Sequence, residues 1–302
     1  IDHCLVGSEM CIRDRNITIS NSTNMYTADR WRFAGDAFTG FINRQQFTPG
    51  QTDVPGEPNY FFRWAVNTNP SGNMAFGQYI EDVRTLAGKT ATLSLYLYAS
   101  ATIPANTLQI RYRQVTGGTG GTNNTINIGE ITTSWKKFTF QLNIPSLTGA
   151  TLGASNASYL ALEILSPSTH TSAFDMFIAQ VQLEEGTSAT PFEHRPIGME
   201  LSSCQRYFNI LSPRYMAGQY LISGEITCQF IPFPVQMRAT PAVTYGSLQV
   251  RENSGSFANV SVSSNNGISE KGINLVVSQS GAATSDSFII YAANVEFNAE
   301  LS

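Results

Sequence analysis

Residues 177–208 read FIAQVQLEEGTSATPFEHRPIGMELSSCQRYF. The run opens on alternation, with Phe177, Ala179, Val181 and Leu183 on every second position, the spacing of a strand that buries one face. Glu184 and Glu185 follow side by side, so on a strand they point to opposite faces. Gly186, Pro191 and Pro196 then break the strand, because proline cannot donate into a ladder. Beyond Pro196 the spacing changes. Pro196 suits a helix start, and Leu201 and Cys204 lie three apart on one helix face, flanked by Ile197 and Phe208. A strand, a break and a short helix over 198–206 therefore divide the chain into a longer part before and a shorter part after.

Both parts read as strands. In the longer one, Tyr60, Phe62, Trp64 and Val66 share a face. Leu93, Leu95 and Leu97 share another, with Tyr96 and Tyr98 opposite. Leu108, Ile110 and Tyr112 alternate with Gln109, Arg111 and Arg113, and Phe138, Phe140 and Leu142 with Lys137, Thr139 and Gln141. Leu160, Leu162 and Ile164 continue the series. Period-two alternation between Gly, Pro, Asn and Ser clusters predicts an all-β sandwich. The GGTGG at 117–121 reads as a hairpin tip and 49–58 as a Pro/Gly-rich loop. One segment, 77–88, places Tyr79, Val83 and Leu86 at helical spacing before Gly88, which predicts a short helix or helical turn. After the junction, Ile226, Cys228 and Phe230 alternate, as do Val243 and Tyr245, Val260 and Val262, and Ile273, Leu275 and Val277. Val295, Phe297, Ala299 and Leu301 alternate in a last strand or pair over 288–301. The expected fold is a jelly-roll β-sandwich over 16–195, a connecting helix over 196–208, and a second, smaller β-sandwich over 209–302.

Composition narrows the function. Of 302 residues, 42% are hydrophobic and 11% aromatic, enough for real cores, while only 13% are charged, about half the usual share. The surface is therefore rich in Ser, Thr, Asn, Gln and Gly. A net charge of −4 offers no basic stripe for nucleic acid, and no apolar run approaches the ~20 residues of a membrane span.

No catalytic constellation stands out. His170 and His194 sit in loops without a nucleophile elbow. Glycoside hydrolysis needs two facing carboxylates, and the acidic residues here are scattered. No phosphate-binding glycine loop occurs. No cofactor is expected. The expected fold resembles jelly-roll carbohydrate modules, which often hold a structural calcium between an N-terminal strand and an acidic pair in the last strand. Here Ala179 and Gln180 occupy the places of that pair and Asp175 is the lone nearby carboxylate, while a hard-cation site wants several oxygen ligands. The remaining candidates are ligand-binding: Tyr96 and Tyr98 as stacking faces, and Gln109, Arg111 and Arg113 as hydrogen-bonding readers, together lining one face of the sandwich. The alternative is that they are ordinary solvent-facing strand residues or face a partner chain. Trp31, Trp64 and Trp135 read as core.

Two resemblances add to this. Residues 4–15, CLVGSEMCIRDR, resemble an in-frame translation of a transposase adaptor used in sequencing libraries. Residues 1–15 are thus expected to be an artefact, with native chain upstream of Asn16. Setting Cys4 and Cys11 aside leaves Cys204 and Cys228, which make neither a disulfide framework nor a metal site. The junction resembles bacteriophage tail-fibre and receptor-binding proteins, with VQLE at 181–184, Gly186, TPFE at 190–193, RP at 195–196, EL at 200–201 and CQRY at 204–207 in order. YTADRW at 26–31, LAGKT at 86–90 with LSLYLYA, TTSWKKF at 132–138 and PVQMRATPAV at 234–243 extend the likeness. The resemblance implies a carbohydrate-binding-module-like, galactose-binding-like jelly roll and a fibre-tip domain. It implies a protein at the virion tail, usually a homotrimer among other tail proteins. With the low charge and the missing catalytic constellation, the expected function is non-enzymatic recognition of host surface glycan. A fibre subunit without a ligand, or a binding module of a carbohydrate-active enzyme, are the alternatives.

Overall fold

The computed structural model describes all residues except 1–2, 5–16, 21–22, 29, 36–38, 68–71, 154–157, 212–213, 223–224, 228–229, 253–257, 265–266, 275, 279–286, 293 and 302. The expectations for 5–15, Cys228 and Leu275 lie outside the described residues. The chain is nearly all β and divides into two compact units, Ile1–Glu200 with Leu301–Ser302, and Leu201–Glu300.

The first unit is a jelly-roll sandwich. Its strands are β1 (His3–Cys4), β2 (Ile17–Ser20), β3 (Thr23–Ala28), β4 (Trp31–Gly35), β5 (Thr39–Gln46), β6 (Tyr60–Val66), β7 (Met74–Glu81), β8 (Thr90–Ala99), β9 (Gln109–Val115), β10 (Thr122–Asn127), β11 (Lys136–Asn143), β12 (Tyr159–Ser166) and β13 (Phe174–Glu185). The first sheet runs β11-β8-β13-β6-β5-β2, with β1 on β13; the second runs β10-β9-β12-β7-β4-β3. From β6 to β9 and from β10 to β13 each connection crosses from one sheet to the other.

The core lies where the two inner faces meet. Trp64, Phe33, Phe62, Phe76, Leu93 and Leu97 are fully buried. Trp31 packs on Phe76 at 4.8 Å and on Phe62 at 5.0 Å. Each such side chain stabilises the fold by about 1.5–3 kcal/mol. β7 and β12 approach so closely that a Cβ on Gly77 would stand 2.0 Å from the Leu162 carbonyl oxygen. The GGTGG run joins β9 to β10 as a hairpin.

Two local expectations are corrected. Residues 77–88 are not a helix: strand β7 continues through Glu81, and successive turns follow. Asp82 and Leu86 have φ of 69° and 60°, which no right-handed helix allows. The bonds Thr85 N–H to Asp82, Ala87 N–H to Arg84 and Lys89 N–H to Leu86 span three residues. β13 is also not one continuous alternation. Its register shifts between Ala179 and Gln182, and Gln180 takes a φ of 46°. The extra residue of this bulge exchanges faces. Met176 and Ile178 point inward before it, Val181 and Leu183 after it, while Phe177 and Ala179 turn outward.

The short helix forms, as α1 (Ile197–Gln205). Pro196 closes its first turn by accepting from the Met199 and Glu200 amides. Cys204 is buried and Leu201 half-buried.

The second unit is all-β. They are β14 (Phe208–Leu211), β15 (Arg214–Ile222), β16 (Glu225–Thr227), β17 (Ile231–Pro232), β18 (Ala242–Tyr245), β19 (Leu248–Glu252), β20 (Ala258–Ser264), β21 (Gly272–Ile273), β22 (Val276–Ser278), β23 (Ser287–Ala292) and β24 (Val295–Asn298). Six of them close into a barrel, β15-β16-β22-β20-β19-β23, beside a three-stranded sheet β14-β24-β18. Closure pairs every barrel edge. Met237, Val250, Val295 and Phe297 belong to the core of this unit.

Candidate functional site

The outward face of the first sheet carries the candidate site. Strand register sets its layout. Phe177 stands opposite Tyr98 on β8 and Arg63 on β6. Ala179 stands opposite Tyr96, and Tyr96 opposite Lys137 on β11. Asp175 stands opposite Ala65.

Two segments fold over this face. The 47–59 loop is pinned by Gln51, whose side chain donates to the Val54 carbonyl at 2.8 Å and accepts from the Val54 amide at 2.9 Å. Val54, fully buried, packs with Phe47 and Ala179. Gln180 reaches up from the bulge and donates to the Pro55 carbonyl at 2.7 Å.

The second segment is the TPFE run, and the VQLE strand holds it. Gln182 donates to the Thr190 hydroxyl at 3.1 Å and accepts from the Glu193 amide at 2.7 Å. Glu184 accepts from the Thr190 amide at 3.1 Å and from the Thr190 hydroxyl. Burial pushes the Glu184 carboxyl up. Hydrogen bonds from Gln182 and Thr190 and the Lys137 charge outweigh burial and hold it below the usual carboxylate range. Glu185 points the other way and pairs with Lys89 at 2.6 Å, so the adjacent pair divides between faces as expected. The motif is therefore a clamp made of its own side chains.

Between the two segments lies a cleft of about 400 Å³, with Ser94, Tyr96 and Gln180 on its floor and Gly56, Phe192 and His194 on its walls. A Cβ at Gly56 would stand 2.8 Å from the His194 ring, so the walls meet on bare backbone. A larger recess of about 650 Å³ opens farther along the strands, lined by Arg63, Asp175, Ser100, Asn67, Thr102 and Phe174 among others. There Arg63 grips Asp175 with two nitrogens, at 2.9 and 2.6 Å. His170 stacks on Phe174 at 5.5 Å, and burial lowers its pKa.

A ridge of half-exposed aromatics stands between cleft and recess. Phe177 and Tyr98 rings lie 4.7 Å apart at 30°, and Tyr98 lies 5.6 Å from Trp135. Phe61 meets both Trp135 and Phe177 edge-on. The Arg63 guanidinium lies 4.7 Å from the Phe41 ring and 5.8 Å from Phe177.

The five candidates from sequence do not share a face. Tyr96 and Tyr98 line the cleft and ridge. Gln109, Arg111 and Arg113 project from the opposite side of the sandwich, because the chain crosses to the second sheet between β8 and β9. There Arg111 donates to Glu163 at 2.7 Å and Arg113 at 3.0 Å, and Gln109 binds Asn127 at 2.9 Å. Burial pushes the Glu163 carboxyl up, but the hydrogen bonds from both arginines outweigh it and hold the group low. Tyr79 stacks on Tyr159 at 4.3 Å beside them. These arginines serve a carboxylate of their own sheet.

Sequence reasoning missed Phe61, Arg63, Phe177 and Gln180, and assigned Trp135 to the core beside Trp31 and Trp64, which are buried. One signal was present. Phe174, Met176 and Ile178 alternate in one phase and Phe177, Ala179, Val181 and Leu183 in the other, and two overlapping phases in one strand mark a bulge. Asp175, considered for calcium, is taken by Arg63. Among the described residues no group of three or more His, Cys, Asp or Glu could hold a metal, and no helix is long and apolar enough to cross a membrane.

No protein-family model matches the sequence, and no curated relative does. Solved structures of similar strand arrangement include a family 30 carbohydrate-binding module, 11% identical over 66% of this chain and 95% of its own, TM-score 0.35. The C-terminal family 22 carbohydrate-binding module of Clostridium thermocellum Xyn10B is 14% identical over 54% of this chain and 89% of its own, TM-score 0.36. A Stig cyclase, Fisc from Fischerella sp. TAU, is 12% identical over 63% of this chain and all of its own, TM-score 0.37. At such identities and scores the likeness extends to neither ligand nor activity.

Proposed function

We propose that this chain is a non-enzymatic glycan-binding protein of a phage tail fibre, and that its sandwich recognises host surface carbohydrate through the outer face of the first sheet. One observation carries the binding reading: a ridge of half-exposed aromatic rings, Tyr98, Phe177 and Trp135, with a recess rich in hydroxyl groups on one side and a smaller cleft on the other. Aromatic faces stack on the C–H surfaces of sugars, and planar side chains read hydroxyls. The hollows speak against hydrolysis. Asp175 is the one carboxylate lining either of them among the described residues, and glycosidases use two facing carboxyl groups. The order and spacing of the cassette motifs support the fibre setting, the trimer and the tip role of 209–302.

A glycan array probed with the full chain tests the reading. Binding to bacterial surface polysaccharides is expected, weakened at least tenfold by Tyr96→Ala and Tyr98→Ala at unchanged melting temperature. No release of reducing ends is expected. Absence of binding on the array together with absence of adsorption to cells refutes the glycan reading. Turnover refutes the non-enzymatic one, and a monomeric native mass refutes the trimer.

A further inference from the structure

We infer that the cleft and the recess are the two ends of one track, which takes a linear oligosaccharide of about four or more units lying along β8 and β13. The inference rests on the glycan reading and adds the length of the ligand and its path over the sheet. Outward-facing residues follow one another along β8: Ser94 and Tyr96 in the cleft, Tyr98 on the ridge, Ser100 in the recess. β13 runs beside it with Gln180, Phe177 and Asp175 in the same sequence. From Ser94 to Ser100 is six strand steps, roughly 20 Å at ~3.3 Å each, farther than a disaccharide reaches.

The ridge is a saddle rather than a wall. Tyr98 and Phe177 are half-exposed, and their rings, 4.7 Å apart and tilted by 30°, present one apolar strip to whatever passes over. Trp135 stands beside Tyr98 and Arg63 beside Phe177, so the strip is bounded on both sides.

The two ends differ in chemistry. No carboxylate lines the cleft among the described residues; it offers Lys137, His194 and the Gln180 amide. The recess offers the Asp175 carboxylate, already oriented by Arg63, with the hydroxyls of Ser100 and Thr102 and the Asn67 amide. A carboxylate accepts from paired sugar hydroxyls, so the recess favours a unit with adjacent free hydroxyls.

The test uses ladders of cello-, malto-, manno- and chito-oligosaccharides and oligogalacturonides, two to eight units long, titrated by calorimetry into the full chain. For the ladder that binds, affinity should rise at least tenfold between two units and the lengths that span the track, then level off. Ser100→Trp or Thr102→Trp, each filling the recess from an exposed position, should erase that rise while melting is unchanged. A flat length dependence overturns the inference, as does a rise that survives both tryptophans; in either case the glycan reading stands. No binding by any ladder or by any surface polysaccharide sinks both.

Discussion

Replacing Glu184 with alanine is expected to release the TPFE segment and lower the stability of the sandwich by about 2–4 kcal/mol. Glu184 is buried, 4% exposed, and its carboxylate accepts from the Thr190 amide and hydroxyl. Hydrogen bonds to a charged group contribute roughly 1.5–3 kcal/mol each, so two contribute ~3–6. Thr190 is solvent-exposed and its freed donors regain water, which reduces the loss to about 2–4 kcal/mol. For a unit of this size the melting temperature should fall by about 4–16 °C. The assay is thermal unfolding of the full chain by tryptophan fluorescence, with chymotrypsin cleavage after Phe192 as the local readout. Glu184→Gln keeps an acceptor without the charge and should lose about half as much. The acid limb follows from the same bond. The folded carboxyl titrates below its ordinary value of 4.5, so its contribution is complete above that value. It is lost as pH falls through the lower folded value, and Glu184→Gln should flatten that limb. A melting temperature of Glu184→Ala within about 2 °C of the parent, with no new cleavage at Phe192, would show that the clamp does not hold the segment.

Other substitutions probe the rest of the fold. Trp64→Ala removes a fully buried ring and should cost about 3–5 kcal/mol in urea unfolding; under 1 would place Trp64 outside the cooperative core. Gly77→Ala should abolish folding, because the new methyl meets the Leu162 carbonyl oxygen; a parent-like circular dichroism spectrum refutes the close approach of β7 and β12. The double change Arg111→Gln with Arg113→Gln leaves Glu163 buried without a cation, at a cost of about 3–5 kcal/mol; a parent-like melting temperature would contradict that. Arg111→Gln alone should leave glycan affinity unchanged, since Arg111 projects from the other face; a tenfold loss would return it to the binding site.

Much of the architecture was legible because it rests on short-range pattern. The alternations in β8, β9, β11 and β12 follow from two-residue periodicity alone, and the structure buries the expected partner set of each. The junction helix was legible for the same reason, since Pro196 and the Leu201–Cys204 spacing are local signals. The 77–88 segment misled because Tyr79, Val83 and Leu86 mimic helical spacing while belonging to a strand end and a run of turns. Left-handed backbone at Asp82 and Leu86, neither a glycine, gave no sign in the sequence. The closed barrel of the second unit was equally invisible, because closure depends on which strands pair, and alternation looks the same in a sandwich and in a barrel.

The candidate site divides along the same line. Tyr96 and Tyr98 could be placed on an outward face from their neighbours on β8, and Arg111 and Arg113 from theirs on β9. Whether the two outward faces are one face was decided by the crossing between sheets, a long-range choice that sets the tyrosines and arginines on opposite sides and gives the arginines to Glu163. The bulge at Gln180 was a second such choice. One extra residue turns Phe177 and Ala179 outward and Val181 and Leu183 inward, and without it the ridge would lack its central ring. Residues 177–208 thus carried, in their own order, the strand, the break and the helix. Their meaning as a clamp beside a cleft of about 400 Å³ came only with the fold, because Gln182 and Glu184 find Thr190 and Glu193 only once the chain has doubled back across its own sheet.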